Sequence, residues 1–507
     1  MNGGRRWKKC FIWSDGQSGR HIKDTRLRVG AIRATRIKCV FLLDIIFLRS
    51  LPCSHMSAYF RNRRQFLKLA LAGSSLPLLS RFGLAEAISG ERTAWYRNAK
   101  FGMFIHWGPY SQASVEASWP IMRPQPGGIT EAQYRALPRT FNPAKFDPQN
   151  FVDLARLAGQ KYMVFTTKHH DGFCMFDSAY TDYKITNTPY GKDIVAQLAK
   201  ACGDDGMPLG FYYSPPDMHH PGFRDTTKPA SENWHGEPWR PEWPGYLQYL
   251  QLQLAELLTR YGPSALIWFD GLNDQRKYGG ERVIKMIREL QPATLVNDRI
   301  GVDADYETPE QFIPTAIPTK GIVLTGVDPQ VSKQLRNSIP RPEDFRMWET
   351  CMTINDTWAH NKNDRNFKSG QTLIRGLVEV ASRGGNFLLN VGPQPDGEIQ
   401  PEFQERLRVI GEWLTLNGDS IYGTTYGPMQ GIPGLRTTAN QKSIYLHVFD
   451  WPASPLSLSG FEPRILSARL LADGKPLVFR QNERKVEIDL PSQAPDPNVS
   501  VIALYTY

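Results

Sequence analysis

The sequence predicts an α/β protein with a (β/α)8-type barrel, followed by a C-terminal antiparallel β-sandwich. From residue 91 to about residue 425, short and nearly continuous apolar runs alternate with helical patterns, as buried parallel strands and their covering helices do. From about residue 428 onward, the chain contains short segments in which apolar and polar residues alternate one by one. Gly, Pro, Asn and Asp separate these segments. The length of 507 residues suits a large barrel with a smaller second module.

Seven barrel strands can be placed in order. They are predicted at residues 102–107, 162–167, 209–214, 265–269, 294–297, 345–348 and 386–390. Helices with one apolar stripe are predicted at residues 150–158, 193–202, 245–261, 371–382 and 402–417. Residues 301–345 show neither clear helical nor clear strand periodicity, so we expect loops and an irregular helix there. The barrel is assigned to residues 91–427 and the β-sandwich to residues 428–507.

The first 55 residues carry a net charge of +9 and show neither helical nor strand periodicity. Met56 lies directly before a segment with the features of an export signal. We therefore expect residues 1–55 to be an over-extended start that is not structural, with true translation beginning at Met56.

Residues 56–90 have the order of a signal peptide. A twin-arginine motif at residues 62–68 precedes an apolar run at 69–79 and small residues at 85 and 87. The apolar run is too short to span a bilayer as a stable helix. We expect export by a twin-arginine-type signal to the periplasm or the extracellular space, without stable membrane insertion after cleavage.

The basic charge of the chain is confined to these N-terminal segments. The whole chain carries +10, whereas residues 91–507 carry −3. The body therefore has no electrostatic footprint for nucleic acid, and no nucleic-acid partner is expected. Its three cysteines, Cys174, Cys202 and Cys351, have the spacing of neither a disulfide framework nor a zinc site.

Polar side chains that can bind a ligand or take part in catalysis follow the predicted barrel strands. In chain order they are His106; His169, His170 and Asp171; Tyr212 and Tyr213; Asp270; Asn297, Asp298 and Arg299; and Glu349. Because the C-terminal ends of barrel strands open at one mouth, these side chains predict a site there. Taken alone, Asp270 is equally typical of a helix N-cap, and the two adjacent histidines could be surface residues or metal ligands.

The predicted mouth combines carboxylates, imidazoles and aromatic rings. The sequence has no phosphate-binding Gly-rich loop, no Gly-x-Ser-x-Gly elbow and no evident Cys–His pair. Paired carboxylates beside aromatic rings suit glycoside hydrolysis, in which one carboxylate attacks or stabilises the anomeric carbon and another protonates the leaving oxygen. The candidate carboxylates are Asp171, Asp270, Asp298, Glu307, Glu310 and Glu349.

Several segments resemble glycoside hydrolase family 29, the retaining α-L-fucosidases. The matching segments, in family order, are residues 99–108, 166–173, 268–271, 297–299, 348–350 and 384–393. The resemblance implies a barrel with a C-terminal β-sandwich, and neither a cofactor nor a metal. It also implies exo-acting removal of terminal α-L-fucose from a fucosylated oligosaccharide or glycoconjugate, through a covalent glycosyl-enzyme intermediate.

The resemblance also implies roles for single residues. Asp270 is the implied nucleophile and Glu310 the implied general acid/base, with Glu349 and Glu307 as alternatives to Glu310. The implied substrate-binding residues are His106, His169, His170, Tyr212 and Arg299, and we expect aromatic contacts from Trp119 and Trp348. The chain departs from the family where many relatives have a Glu-Trp pair, because residues 116–119 read Glu-Ala-Ser-Trp.

Two other functions stay open on the residues alone. The first is a non-catalytic fucose-binding or glycan-binding barrel, which would lack the nucleophile or the acid. The second is a metal-dependent hydrolase that uses the histidines, which would lose activity in EDTA. The sequence leaves the linkage preference and the oligomeric state open.

Overall fold

The computed structural model describes residues 91–271, 274–320 and 338–507. The predicted over-extended start and signal peptide, residues 1–90, lie outside the described residues. Among the described helices, none combines the length and the apolar character that a membrane span requires.

Seven parallel strands form the central sheet, in the order β5-β4-β3-β2-β1-β7-β6. They are β1 (Phe101–Ile105), β2 (Met163–Lys168), β3 (Leu209–Tyr213), β4 (Leu266–Phe269), β5 (Leu295–Val296), β6 (Glu349–Thr353) and β7 (Asn386–Val391). All of their residues except Met352 are buried, as expected for parallel strands covered on both faces. The predicted α/β barrel class is confirmed.

The sixth strand lies later in the chain than predicted. It begins at Glu349, whereas the sequence placed a strand at residues 345–348. Its residues include Glu349, Thr350 and Thr353, which are polar but buried, because their side chains hydrogen-bond inside the fold. Because these residues are polar, the strand does not stand out as an apolar run in the sequence.

Residues 305–311 fill the eighth position, between β5 and β6. The backbone bonds to the neighbouring strands are Asp305 N to Val296 O (2.9 Å), Glu349 N to Glu307 O (2.8 Å) and Cys351 N to Pro309 O (3.2 Å). Pro309 has no amide hydrogen, so this segment cannot form a regular ladder. The barrel therefore closes irregularly here, and Glu310 lies near the C-terminal end of the closing segment.

Side chains of the strands divide between two apolar clusters. Inside the barrel lie residues such as Phe104, Tyr212 and Trp268. Their chain neighbours, among them Phe211 and Ile267, pack with the helices. Successive side chains of a strand point to opposite faces, so this parity decides which residues face the barrel axis.

Ten helices are described along the chain. They are α1 (91–99), α2 (Trp119–Met122), α3 (Glu131–Ala136), α4 (Pro148–Leu157), α5 (Ile194–Asp205), α6 (Ala230–Asn233), α7 (Trp243–Arg260), α8 (Gly280–Leu290), α9 (Gly370–Ala381) and α10 (Pro401–Asn417). The sequence explains where α4 begins. The Asp147 carboxylate caps the helix by accepting from Gln149 N at 2.9 Å, and Pro148 takes the first helical position. The short helices α2, α3 and α6 lie in the connections that follow β1 and β3, on the mouth side of the barrel.

Two antiparallel sheets form the C-terminal β-sandwich, with strand orders β13-β12-β16-β10-β9-β8 and β11-β15-β14. The strands are β8 (Thr425–Tyr426), β9 (Leu435–Ala439), β10 (Ser443–Val448), β11 (Leu456–Ser459), β12 (Ile465–Leu470), β13 (Pro476–Leu477), β14 (Phe479–Asn482), β15 (Lys485–Ile488) and β16 (Ser500–Thr506). The first of them begins three residues before residue 428, where the sequence placed the boundary. Trp413 of α10 donates its indole N–H to Val499 O at 2.9 Å, so the sandwich packs on the helical layer of the barrel.

Candidate active site

A pocket opens at the C-terminal ends of the barrel strands. Its lining residues are Phe104, His106, Trp119, His169, His170, Tyr212, Trp268, Asp270, Gly271, Arg299, Glu310, Cys351 and Trp358. They come from the barrel strands and the connections that follow them. No described residue of the β-sandwich lines this pocket.

Asp270 directly follows β4, and each of its carboxylate oxygens has a partner. Tyr212 donates its hydroxyl to Oδ2 at 2.8 Å, and Arg299 donates from Nη1 to Oδ1 at 2.9 Å. The helical segments that follow are capped by Asp274 and Gly279 instead. The interpretation of Asp270 as a helix cap is therefore wrong, and its carboxylate belongs to the pocket.

Arg299 joins Asp270 to Glu310. Its Nη1 atom lies 2.9 Å from Oδ1 of Asp270 and 2.8 Å from Oε2 of Glu310. The two carboxylate oxygens can therefore be no farther apart than the sum of these distances. This bound on the nearest oxygens is compatible with the carboxyl separation of about 5–5.5 Å in retaining glycosidases.

The guanidinium of Arg299 is held in place from several sides. Its Nε donates to the Thr308 hydroxyl at 2.9 Å, its Nη2 donates to Thr308 O at 2.8 Å, and its Cζ lies 4.7 Å from the ring centroid of Trp268. Burial by itself would lower the pKa of Arg299, but the carboxylates of Asp270 and Glu310 outweigh burial and raise that pKa. The pocket thus contains a fixed, permanent cation between two carboxylates.

Three buried histidines form one wall of the pocket. Burial lowers the pKa of His106 to about 4 and that of His170 to about 3. Burial also holds the pKa of His169 well below its usual range, and the neighbouring imidazoles lower it further. The three rings are therefore neutral at physiological pH and contact ligands as hydrogen-bonding groups rather than as cations.

Hydrogen bonds on the outer side fix the tautomers of two of these rings. His106 Nδ1 lies 2.7 Å from Asn390 Oδ1, and Asn390 donates its amide to a backbone carbonyl, so the oxygen must accept from His106. His170 Nδ1 lies 2.6 Å from the Ser214 hydroxyl, which itself donates to a carbonyl at 2.7 Å. Both rings carry their hydrogen on Nδ1 and keep Nε2 as an acceptor.

His169 is also held on its outer side. Its Nδ1 lies 2.7 Å from the Ser118 hydroxyl, which accepts from Asp171 N at 2.7 Å. The Nε2 atoms of His106 and His170 are thus acceptors beside this third ring, which suits a ligand with hydroxyl groups.

The structure brings together most of the residues predicted to bind substrate. His106, His169, His170, Tyr212, Arg299 and Trp119 all line the pocket. Trp348 does not, which corrects its prediction. It is 1% exposed, packs in the helical layer and donates its indole N–H to Arg383 O at 3.1 Å. It lies one residue before Glu349, which faces the barrel interior, so strand parity directs Trp348 outward.

Trp358 supplies an aromatic contact that the sequence argument missed. Its ring lies 5.0 Å from the ring of His106. The Glu116 carboxylate accepts the backbone N–H groups of Trp358 at 2.8 Å and Ala359 at 3.1 Å, and so holds this loop at the pocket. The only signal in the sequence was its place in the connection after β6, five residues beyond the strand.

The three candidate glutamates lie in different surroundings. Glu310 lines the pocket and is 42% exposed. Glu349 is fully buried in the barrel interior, where it accepts hydrogen bonds from Trp268 and Tyr162. Glu307 pairs with Arg346 at 3.4 Å and does not line the pocket. Of the three, Glu310 alone is described within the pocket.

His169, His170 and Asp270 form a group whose ligand atoms lie within 4.8 Å of one another. Imidazole nitrogens with a carboxylate are donors that suit zinc and related ions. The Arg299 guanidinium, 2.9 Å from Asp270, would repel such an ion. The local charge therefore disfavours a divalent cation at this group.

A family model described as alpha-L-fucosidase matches residues 85–419. The solved structure of alpha-L-fucosidase isoenzyme 1 from Paenibacillus thiaminolyticus is similar at 34% identity with a TM-score of 0.73, over 83% of this chain and 99% of that chain. Plasma alpha-L-fucosidase of Homo sapiens is 29% identical over 429 residues, which cover 78% of this chain and 85% of the relative.

A family 29 alpha-L-fucosidase from Bacteroides thetaiotaomicron is similar at 27% identity with a TM-score of 0.67, over 82% of this chain and 95% of that chain. Its structure is described as a covalent intermediate trapped with 2-fluoro-fucosyl fluoride in a glutamate-to-glutamine variant. The family model covers well over half of the sequence, and the matched region contains the whole pocket. The chain therefore belongs to the α-L-fucosidase family, glycoside hydrolase family 29.

Proposed function

We propose that this chain is an exo-acting retaining α-L-fucosidase, with Asp270 as the nucleophile and Glu310 as the general acid/base. Its substrates are fucosylated oligosaccharides or glycoconjugates with a terminal α-L-fucose. The observation that carries the proposal is the single Arg299 nitrogen within hydrogen-bond distance of both carboxylates. This arrangement supports the short separation that double displacement needs.

In the first step, an oxygen of Asp270 attacks the anomeric carbon while Glu310 donates its proton to the leaving oxygen. The glycosidic bond breaks, and the fucosyl group becomes esterified to Asp270. In the second step, Glu310 accepts a proton from water as that water attacks the anomeric carbon, and the ester bond to Asp270 breaks. Two inversions give net retention.

The surroundings of the two carboxylates support different roles. Asp270 is 16% exposed and accepts from both Tyr212 and Arg299, which hold its carboxylate in a fixed position for attack as a nucleophile. Glu310 is more exposed, at 42%, as suits a group that must meet both the departing oxygen and the incoming water. The neutral histidines then bind the fucose hydroxyls without competing for the charge of Asp270.

The test compares the unchanged enzyme with Asp270→Ala and Glu310→Ala on an aryl α-L-fucoside, with and without azide. We expect both variants to lose most of their turnover and azide to restore it, because azide replaces the missing nucleophile or needs no general base. Asp270→Ala should yield the fucosyl azide of inverted configuration, and Glu310→Ala the retained one. Glu307→Ala is the matched control, in which azide should have no effect.

Two outcomes would contradict the proposal at different levels. If azide restores turnover to neither variant, the double-displacement assignment fails. If the unchanged enzyme hydrolyses no aryl glycoside, the hydrolase activity itself is rejected, and the non-catalytic sugar-binding alternative takes its place.

We also propose that the chain is exported by a twin-arginine-type signal to the periplasm or the extracellular space. The support is the motif at residues 62–68 with the apolar run and small residues that follow it. Replacing Arg63 and Arg64 by Lys should leave fucosidase activity in the cytoplasmic fraction, whereas Arg61→Lys should not. Normal export of the double variant would contradict this proposal.

A further inference from the structure

An arginine beside the pocket lies within cation–π distance of two tryptophan rings. The Cζ atom of Arg123 is 5.0 Å from the ring centroid of Trp119 and 4.9 Å from that of Trp234. Arg123 is nevertheless exposed. In the described part of the chain, its guanidinium has neither an ion-pair partner nor a hydrogen-bond acceptor. Its N–H donors are therefore ordered by the rings but left open to solvent.

The segment that carries Trp234 is anchored by a buried polar network. Arg224 is 1% exposed and donates to Asn233 Oδ1 at 3.2 Å and to Glu131 Oε1 at 3.2 Å. The other oxygen of Glu131 accepts from Ala230 N at 2.8 Å. The connection after β3 is thus tied to helix α3, and Trp234 follows directly on this anchored helix.

The opposite ring belongs to the wall of the pocket. Trp119 lines the pocket, and its ring lies 6.4 Å from that of His170 at an angle of 87°. Arg123 N donates to Trp119 O at 2.7 Å, so the two residues are also fixed to each other through the backbone. The group Trp119–Arg123–Trp234 therefore leads from the pocket wall to the outer surface.

In an exo-acting enzyme the terminal sugar fills the pocket, and the group that it leaves extends outward from the mouth. We infer that the Trp119–Arg123–Trp234 group binds the sugar unit from which fucose is cleaved, with Arg123 donating hydrogen bonds to its hydroxyls. This inference rests on the proposed fucosidase function and adds the recognition of a carbohydrate leaving group to it.

The chemistry of arginine explains why such a site favours a sugar. A guanidinium presents five N–H donors in one plane and can bond two neighbouring oxygens at once. Because the two rings already restrict Arg123, less side-chain entropy is lost when it binds. The indole of Trp239, five residues after Trp234 on the same connection, is 78% accessible.

The experiment compares two kinds of substrate in the full-length protein. α-L-Fucosyl fluoride has a single atom as its leaving group, whereas fucosyl-galactose and fucosyl-N-acetylglucosamine disaccharides have a sugar. Arg123→Met keeps an unbranched apolar side chain between the rings but removes the guanidinium and all of its N–H donors. Arg139→Met, a change of an exposed arginine on a different segment, is the matched control.

For Arg123→Met we expect kcat/KM to fall about tenfold on the disaccharides that the unchanged enzyme hydrolyses, since a hydrogen bond to a charged donor is lost. On the fluoride we expect kcat/KM to stay within about twofold of the unchanged enzyme. Trp234→Ala should give the same substrate-dependent pattern, with folding checked by thermal unfolding. Arg139→Met should change neither substrate.

An equal change on fluoride and disaccharides in Arg123→Met, or no change on either, would overturn the inference. Hydrolysis of the fluoride but of none of the disaccharides by the unchanged enzyme would also overturn it. Failure of the proposed function looks different, because the unchanged enzyme would then not hydrolyse the fluoride either.

Discussion

Trp268 donates its indole N–H to the buried carboxylate of Glu349, with 2.9 Å between Nε1 and Oε1. The same ring stacks on Tyr212, at 5.6 Å between centroids and 15° between planes, and lies 4.7 Å from the Arg299 guanidinium. Tyr212 and Arg299 are the two donors that hold Asp270. Glu349 is thus a positioning residue, which supports the pocket through Trp268 without lining it.

The first prediction concerns the pH dependence of stability. Burial raises the pKa of Glu349 to about 7, although hydrogen bonds from Tyr162 and Trp268 lower it. Because the folded-state pKa is raised, the stabilising contribution of Glu349 is full below its unfolded pKa and is lost as the pH rises through about 7. We expect Glu349→Gln to remove this loss, which is worth up to on the order of 3 kcal/mol.

Thermal unfolding of both proteins between pH 5 and pH 8.5 measures this effect. The Tm of the unchanged protein should fall relative to that of Glu349→Gln as the pH rises. Parallel Tm curves across the range would show that Glu349 does not titrate there. Azide should not increase the turnover of Glu349→Ala, since a rescue would indicate a general acid/base.

The second prediction compares two neighbouring tyrosines of β3. Tyr212→Phe removes the hydroxyl that donates to Asp270 at 2.8 Å, so kcat/KM should fall about tenfold to hundredfold. Tyr213 points to the opposite face and donates to Gln253 at 2.8 Å. Tyr213→Phe should therefore lower the free energy of unfolding by about 1–3 kcal/mol and leave kcat/KM nearly unchanged. Equal losses of kcat/KM in both variants would indicate distortion of the strand instead.

The third prediction concerns a buried ion pair behind the histidines. Lys168 Nζ lies 2.9 Å from Asp217 Oδ2, and both side chains are at most 1% exposed. Asp217→Asn leaves the Lys168 cation without its carboxylate, which should cost about 3–5 kcal/mol of stability. The double variant Lys168→Met/Asp217→Asn should recover part of that loss, as measured by thermal unfolding at pH 7. An unchanged Tm in Asp217→Asn would contradict the assignment of a charged pair.

The same pair has a defined response to acid. Burial alone would raise the pKa of Asp217, but Lys168 and the nearby histidines outweigh burial and lower it. A lowered carboxyl pKa contributes stability above the unfolded pKa of 3.8, and this contribution is lost as the pH falls through the folded-state pKa. Below pH 4, the Tm difference between the unchanged protein and the double variant should therefore shrink.

The fourth prediction concerns metal. Activity on an aryl α-L-fucoside should survive exhaustive EDTA treatment, because Arg299 beside Asp270 would repel a divalent cation and the proposed steps use only carboxylates and water. Inactivation by EDTA, reversed by added Zn²⁺ but not by Mg²⁺, would instead support a metal bound at His169, His170 and Asp270.

The parts of the fold that depend on local sequence pattern could be predicted from the sequence. Strands β1 to β4 and β7 are apolar runs bounded by polar residues, so their existence could be predicted. The segment at the eighth position of the barrel could not be predicted, because residues 305–311 include two acidic side chains besides Glu310. In addition, Pro309 interrupts the ladder of backbone hydrogen bonds. Its strand-like role arises only from bonds to β5 and β6.

The sequence by itself determined the family, the barrel with its β-sandwich, and the order in which polar residues end the strands. These features depend on local composition and on motifs that stay contiguous along the chain. The tertiary structure decided which acidic residue lies near Asp270, because Glu307, Glu310 and Glu349 differ in direction and burial rather than in chemistry. Closure of the barrel brings Asp270 and Glu310, forty residues apart, to one nitrogen of Arg299, and strand parity directs Trp348 away from the pocket.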